Sequence, residues 1–283
     1  MKAAGYSLPY NSAPVAELSS LWELRRRALL RARKKVRAGE TEGVHDFRVA
    51  LRRVSATARA LGRRKVERRA KKIVRSLSSD RQLEVDRALL VRVRQLGLLS
   101  EDAATALEAR WVSLAKDGAG QVDRVGREKR LRRLLRKLRA LATHPEADTL
   151  ERLLDDRANA QAALADAPAK TDDEALHRYR LLIKRARYLA EDLVELGRPE
   201  FEAFASRERS AQDVLGRWND LRFFLERIER ERKLAQWRGA VRLAAELDEL
   251  VRALEGPLES LRREAMETAH RISTSFSLAA RSA

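Results

Sequence analysis

Residues Val44–Arg53 read VHDFRVALRR, and about 130 residues later Leu176–Arg185 read LHRYRLLIKR. Apolar residues fall at spacings of three and four in both, so each predicts an amphipathic helix. At about 100° per residue, His45, Arg48, Arg52 and Ser55 share an arc of roughly 80°, and Arg59 joins it. Val44, Phe47, Leu51, Val54 and Leu61 take the opposite side. In the second copy His177, Arg180, Lys184 and Arg187 form the stripe, with Leu176, Tyr179, Ile183, Ala186 and Leu193 facing a core. Arg53 and Arg185 flank the two rows. The chain has only four histidines, and two of them occupy the same place in a repeated phrase.

Each expected row of cations is about three turns long, or roughly 15 Å. Arginine offers a planar fork that matches two phosphate oxygens, and lysine a point charge. A histidine beside phosphate is held in its charged form and donates from both nitrogens. Two rows related by a pseudo-dyad would make a cationic groove for a linear polyanion.

Working outward, the 283 residues are enough for one large or two smaller domains, and 44% are hydrophobic. Charged residues make up 36%, with a net charge of +18. The excess is local: residues 25–75 hold twenty Lys/Arg against Glu40, Glu42, Asp46 and Glu67, and Arg124–Arg139 hold nine against Glu128. Such asymmetry favours a one-sided surface for an anionic partner. With no cysteine, disulfides, thiolate chemistry and cysteine zinc sites are excluded. No apolar stretch has the length of a membrane span, and the first residues lack a signal-peptide core. The expected location is the cytoplasm.

Helices are expected over about 14–38, 44–61, 63–77, from the SLSSD segment to Leu96, from Ser100 to KDGAG, and over 122–142. The second half supplies 146–164, then an acidic linker DAPAKTDDE, two long helices parted by Gly197 and Pro199, and a last helix over 239–270 with a kink at Gly256–Pro257. No strand is expected. LSSDRQLEV (from Leu77) also aligns with LGRWNDLRF (from Leu215), and two landmarks in the same order suggest a duplication.

These residues resemble the CHAD domain, the conserved histidine α-helical domain. VHDFRVALRR and LHRYRLLIKRARYLAEDL are similar to its two signature helices. Leu215, Gly216, Asn219, Asp220 and Leu221 match its Leu-Gly-x-x-Asn-Asp-Leu motif. DRQLEV is similar to the Arg-Asp-x-Asp-Val pattern at Arg81 but departs at Gln82 and Glu84, a site expected to serve packing and hydrogen bonding. The resemblance covers roughly residues 15–270. It implies an all-α fold of two pseudo-symmetric four-helix bundles with a basic groove or pore between them: a tail over 1–14, bundles over 15–145 and 146–270, and a tail over 271–283. It also implies binding of inorganic polyphosphate and a place at polyphosphate granules, with His45, Arg48, Arg52 and Arg53 matching the first signature and His177, Arg180, Lys184, Arg185 and Arg187 the second. Arg59 joins the expected binding residues from its place on the arc, and with no catalytic constellation the binding is expected to be non-catalytic. Charge alone does not choose polyphosphate over nucleic acid, which stays as the alternative partner, although aromatics at 5% give little support for base stacking. A phosphatase acting with a separate partner is a third possibility.

A stand-alone CHAD domain without a CYTH triphosphatase domain is expected. The CYTH-like string ERERK (Glu229, Glu231, Lys233) falls in a helical stretch. Its carboxylates would diverge there by about 160°, where metal binding needs the same-face geometry of a strand. No Walker loop or His-Glu-x-x-His motif is present, no catalytic motif includes His144 or His270, and no catalytic group, metal or cofactor is expected.

Overall fold

The computed structural model describes residues 16–40, 42–118, 124–143, 149–165 and 173–281. Every regular element among them is helical. In chain order they are α1 (Ala16–Ala38), α2 (Gly43–Ala60), α3 (Arg64–Arg75), α4 (Ser78–Gln95), α5 (Glu101–Gly118), α6 (Arg124–Thr143), α7 (Thr149–Ala165), α8 (Asp173–Glu195), α9 (Glu202–Trp237) and α10 (Val241–Arg281). A single 3₁₀ turn, Pro199–Phe201, enters α9. The expected N-terminal tail and most of the acidic linker lie outside the described residues. Helix α10 carries Pro257 in its interior and continues to Arg281, through most of the stretch read as a C-terminal tail.

The apolar stripes read from sequence are the buried ones except at Val44, which is half-buried. In α2, Phe47, Leu51 and Val54 are buried, as is Leu61 just beyond it; in α8, Leu176, Tyr179, Ile183, Ala186 and Leu193 are. Both helices end alike. The Arg63 N–H donates to the Ala58 carbonyl and Gly62 to Arg59, while Arg198 donates to Leu193 and Gly197 to Val194. Gly62 and Gly197 stand at φ 66° and 80°, the left-handed conformation this cap requires and glycine adopts without steric cost. Gly43 serves another purpose: a Cβ there would lie 2.8 Å from backbone atoms of Lys35 and Val36. Its absence lets the start of α2 sit against the last turn of α1.

Helices α1, α2, α3 and α6 pack on one another, as do α7, α8, α9 and α10, and α2 meets α8 and α7 across the middle. One hydrophobic core runs through all of these. A second core lies apart from it. There α4 and α5 pack with the C-terminal half of α9 and the N-terminal half of α10, around Trp111 and Phe224, whose rings meet edge-to-face at 6.2 Å. The described residues between 16 and 143 are thus shared between both cores.

The α1–α2–α8 junction is polar and buried. Arg25, 2% exposed, pairs with Asp192 and with Glu195, and Asp192 also accepts from Thr57 Oγ1 at 2.6 Å. Burial alone would lower the Arg25 pKa, but Asp192 and Glu195 more than offset it and hold the group charged. Because a buried charge is tolerated only when paired, this junction fixes how α2 sits against α8.

Candidate functional site: cations between α2, α3 and α8

A cleft of about 360 Å³ opens where α2, α3 and α8 meet. Helix α2 contributes Arg52, Ser55, Ala56 and Arg59. Lys71 and Arg75 come from α3 with Glu67 and Val74, and Lys184 and Arg185 from α8 with Leu181 and Tyr188. Glu67, the carboxylate in this lining, is paired with Lys71 at 2.5 Å. Among the described residues, Arg52, Arg59, Arg180 and Lys184 make no hydrogen bond or ion pair.

Electrostatics mark Lys184 as the centre. Burial first, then the fields of Arg52, Arg180, Arg187 and Arg48, push its pKa down from 10.5 to about 7. Arg180 is lowered too, by burial and then by Arg52 against the pull of Asp220, and its Nε is buried with no hydrogen-bond partner. The folded chain thus holds several half-buried cations together against their mutual repulsion. The rows on α2 and α8 face a shared space at Arg52, Arg59 and Lys184, and Arg180 lies close enough to Arg52 and Lys184 for their charges to act on one another.

The remaining expected site residues separate from this group. Arg48 is a correction: it is 5% exposed, not presented to solvent, and donates to the Leu77 carbonyl, where the chain turns between α3 and α4. The segment that aligns with Leu77, around Leu215, lies inside the unbroken α9. Arg180, the counterpart of Arg48, has no such bond. Ser55, expected on the open arc, is buried as well. Arg53 is tied to Glu191 at 2.8 Å and to Glu195 at 2.6 Å. Arg185 pairs with Asp156, with its Nε donating at 3.1 Å. Arg187 lies 3.5 Å from Glu191 and rests on the Tyr188 ring at 4.8 Å. These three arginines are committed to protein partners; Arg185 still lines the cleft, while Arg53 and Arg187 contribute to it through their fields.

The histidines differ. His45 is exposed on the first turn of α2. His177 is half-buried, and its Nδ1 lies 3.4 Å from Oδ1 of Asn219, which is buried in α9. With the proton on Nδ1, His177 donates to Asn219. That bond links the second signature helix to the LGRWNDLRF segment and fixes the ring.

Periodicity did not single out Lys71 and Arg75 as site residues. Their signal was the wheel of α3, on which Lys71 and Val74 lie on the flank away from Lys65, Arg69 and Lys72. Elsewhere, Glu229 and Glu231 lie on the helix α9, as expected. Glu229 pairs with Arg232, whereas Glu231 is buried and accepts from Arg110 Nε at 2.7 Å and Trp111 Nε1 at 3.1 Å. A larger cavity, about 490 Å³, lies beside Glu231 between α4, α5 and α9. Its Arg110 and Arg227 are taken up by Glu231 and Asp86. Gln82, where the sequence departs from the family pattern, donates to Asp86 at 2.9 Å. Among the described residues, no helix is long and apolar enough to cross a membrane.

Two solved structures share this architecture. The CHAD domain from the plant Ricinus communis superposes with a TM-score of 0.66 at 18% identity, covering 95% of this chain and 96% of that one. PptA from Streptomyces chartreusis gives 0.68 at 19% identity, covering 92% and 100%. At these identities the likeness is one of fold. No curated protein matches the chain. The family model of the CHAD domain matches residues 20–229, through α2, α8 and most of α9, and the chain belongs to the CHAD domain family.

Proposed function

We propose that this protein binds inorganic polyphosphate in the cleft between α2, α3 and α8, and holds the polymer without cleaving it. One observation carries the reading: Arg52, Arg59 and Lys184 line the cleft with Arg180 beside them, half-buried or exposed, and among the described residues none of the four is held in an ion pair. Cations kept together at such electrostatic cost favour an anionic occupant, because the anion removes the repulsion. The family's association with polyphosphate selects that anion. Binding rather than hydrolysis is the simpler chemistry here. Guanidinium and ammonium groups hold phosphate oxygens, while attack by water needs a positioned base. Glu67 is engaged by Lys71.

We also read the chain as a duplication, with α1, α2, α3–α4 and α5–α6 answering to α7, α8, α9 and α10. Supporting this are the like helix neighbours in each half and the like caps on α2 and α8. On this reading the cleft lies beside the seam of the two halves, and granule targeting follows from affinity for the polymer.

The test is competition between polyphosphate and duplex DNA at near-physiological salt. A thin, flexible polymer charged at every unit reaches half-buried cations that a duplex cannot, since its major groove alone is about 12 Å wide. Polyphosphate should displace DNA at equal phosphate concentration, and DNA should not displace polyphosphate. Equal competition, or preference for DNA, would return the protein to the nucleic-acid binders.

A further inference from the structure

We propose that the groove between α3 and α6 is a second polyanion track, and that a long polyphosphate chain fills it and the central cleft together by crossing over α3. The proposal rests on the reading of the cleft given above.

Helix α3, RKVERRAKKIVR, buries Val66, Ala70 and Ile73 and leaves most of its surface cationic. Helical spacing sorts these charges. Lys71 lies on the flank toward the central cleft. Lys65, Arg69 and Lys72 lie on the opposite flank, toward α6. Arg64, Arg68 and Arg75 make the ridge between. On the α6 side, Lys65, Arg68, Arg69 and Lys72 line a depression of about 360 Å³ with Arg130, and no carboxylate is in that lining. Arg133 and Lys137 follow Arg130 at i+3 and i+7, on the same flank of α6. Among the described residues none of these seven forms an ion pair, and Arg130 Nε is buried with no hydrogen-bond partner.

The other seam of α6 is built differently. There Glu128 lies between Arg33 and Arg37 of α1 and Arg132 of α6 and pairs with all three. A carboxylate offsets part of the charge where α6 meets α1, and none does so in the depression where it meets α3. An open double row of cations suits a linear polyanion. Arg75 and Lys71 line the central cleft, and Arg68 lines the lateral depression, so α3 is a wall of both. A helix about 10–12 Å across gives an outer half-circumference of roughly 15–20 Å. A flexible phosphate chain can follow that path, whereas duplex DNA, with a persistence length of about 500 Å, cannot.

Occupying both grooves with one molecule makes the second contact intramolecular, so long chains gain avidity that short ones lack. The variant Lys65→Gln/Arg69→Gln/Lys72→Gln tests this against tripolyphosphate and long-chain polyphosphate, with melting curves to check folding. Tripolyphosphate affinity should stay within about twofold, while long-chain affinity falls on the order of 10-fold or more and its salt dependence becomes shallower. A control, Arg132→Gln/Arg136→Gln/Arg139→Gln, removes the same charge from other faces of α6 and should weaken long-chain binding far less. Unchanged long-chain affinity and salt slope in the first variant would overturn the track. Equal losses in the two variants would reduce the effect to net charge and overturn it as well. The central reading is checked separately by Arg52→Gln/Arg180→Gln, which should lose tripolyphosphate itself; retention there would sink the cleft and leave the lateral groove to be judged by its own variant.

Discussion

Replacing Lys184 by methionine should stabilise the empty protein and weaken polyphosphate binding. The ammonium is half-buried among Arg52, Arg180, Arg187 and Arg48, and burial followed by these charges brings its pKa from 10.5 to about 7. An unfolded chain keeps the ordinary value, so between pH 7 and 10.5 it binds more protons than the folded one, and stability rises with pH across that window. At about 1.4 kcal/mol per pH unit, the charge costs the fold roughly 3–5 kcal/mol below pH 7, fading toward zero near pH 10.5. Methionine fills similar volume and carries no charge. At about pH 6.5 the variant should therefore be the more stable, by up to several kcal/mol, and the advantage should shrink as pH rises. Urea unfolding of both proteins at several pH values reads this directly. Bound polyphosphate favours protonated Lys184, so wild-type affinity should fall as pH rises past about 7 and that pH dependence should disappear in the variant. A variant less stable than wild type at low pH, or a stability difference that does not change with pH, would refute the picture of a repelled cation.

Two further outcomes follow from the packing. Arg25→Met leaves Asp192 buried without its cation and should cost about 3–5 kcal/mol in unfolding free energy, most of it recovered in Arg25→Met/Asp192→Leu, because removing both charges avoids the orphan. Glu208 is fully buried, and burial raises its pKa from 4.5 to about 7 against Arg207 and Arg157. The folded state then binds more protons between those values, so wild-type stability should decline as pH rises from 4.5 to 7. Glu208→Gln should remove that decline and stabilise the protein at about pH 8 in thermal melts.

The helices and their buried faces were legible because period alone determines them: Phe47, Leu51 and Val54, or Tyr179, Ile183 and Ala186, could face only one way. The convergence of Arg52 with Lys184 was legible only as two separate rows. Which cations stay unpaired was not, because partners such as Asp156 and Glu191 lie on other helices or other turns. Arg48 looked like its neighbours on the wheel and is buried by the turn at Leu77, a tertiary event. The second core around Trp111 was hidden for the same reason: long α9 and α10 pass through both cores, and periodicity does not say where a helix changes partners.

The central claim is that unpaired cations on α2 and α8 hold polyphosphate together. Titration calorimetry of polyphosphate into wild type and into Arg52→Gln/Arg180→Gln measures it most directly. Among the described residues neither arginine is held in an ion pair, and repulsion and burial outweigh the pull of Asp220 on Arg180, so the melting temperature should hold or rise. Each lost charge-assisted contact should cost about 1.5–3 kcal/mol, weakening binding on the order of 100-fold or more in the pair. Wild-type affinity in a folded double variant would place the binding elsewhere and contradict the account.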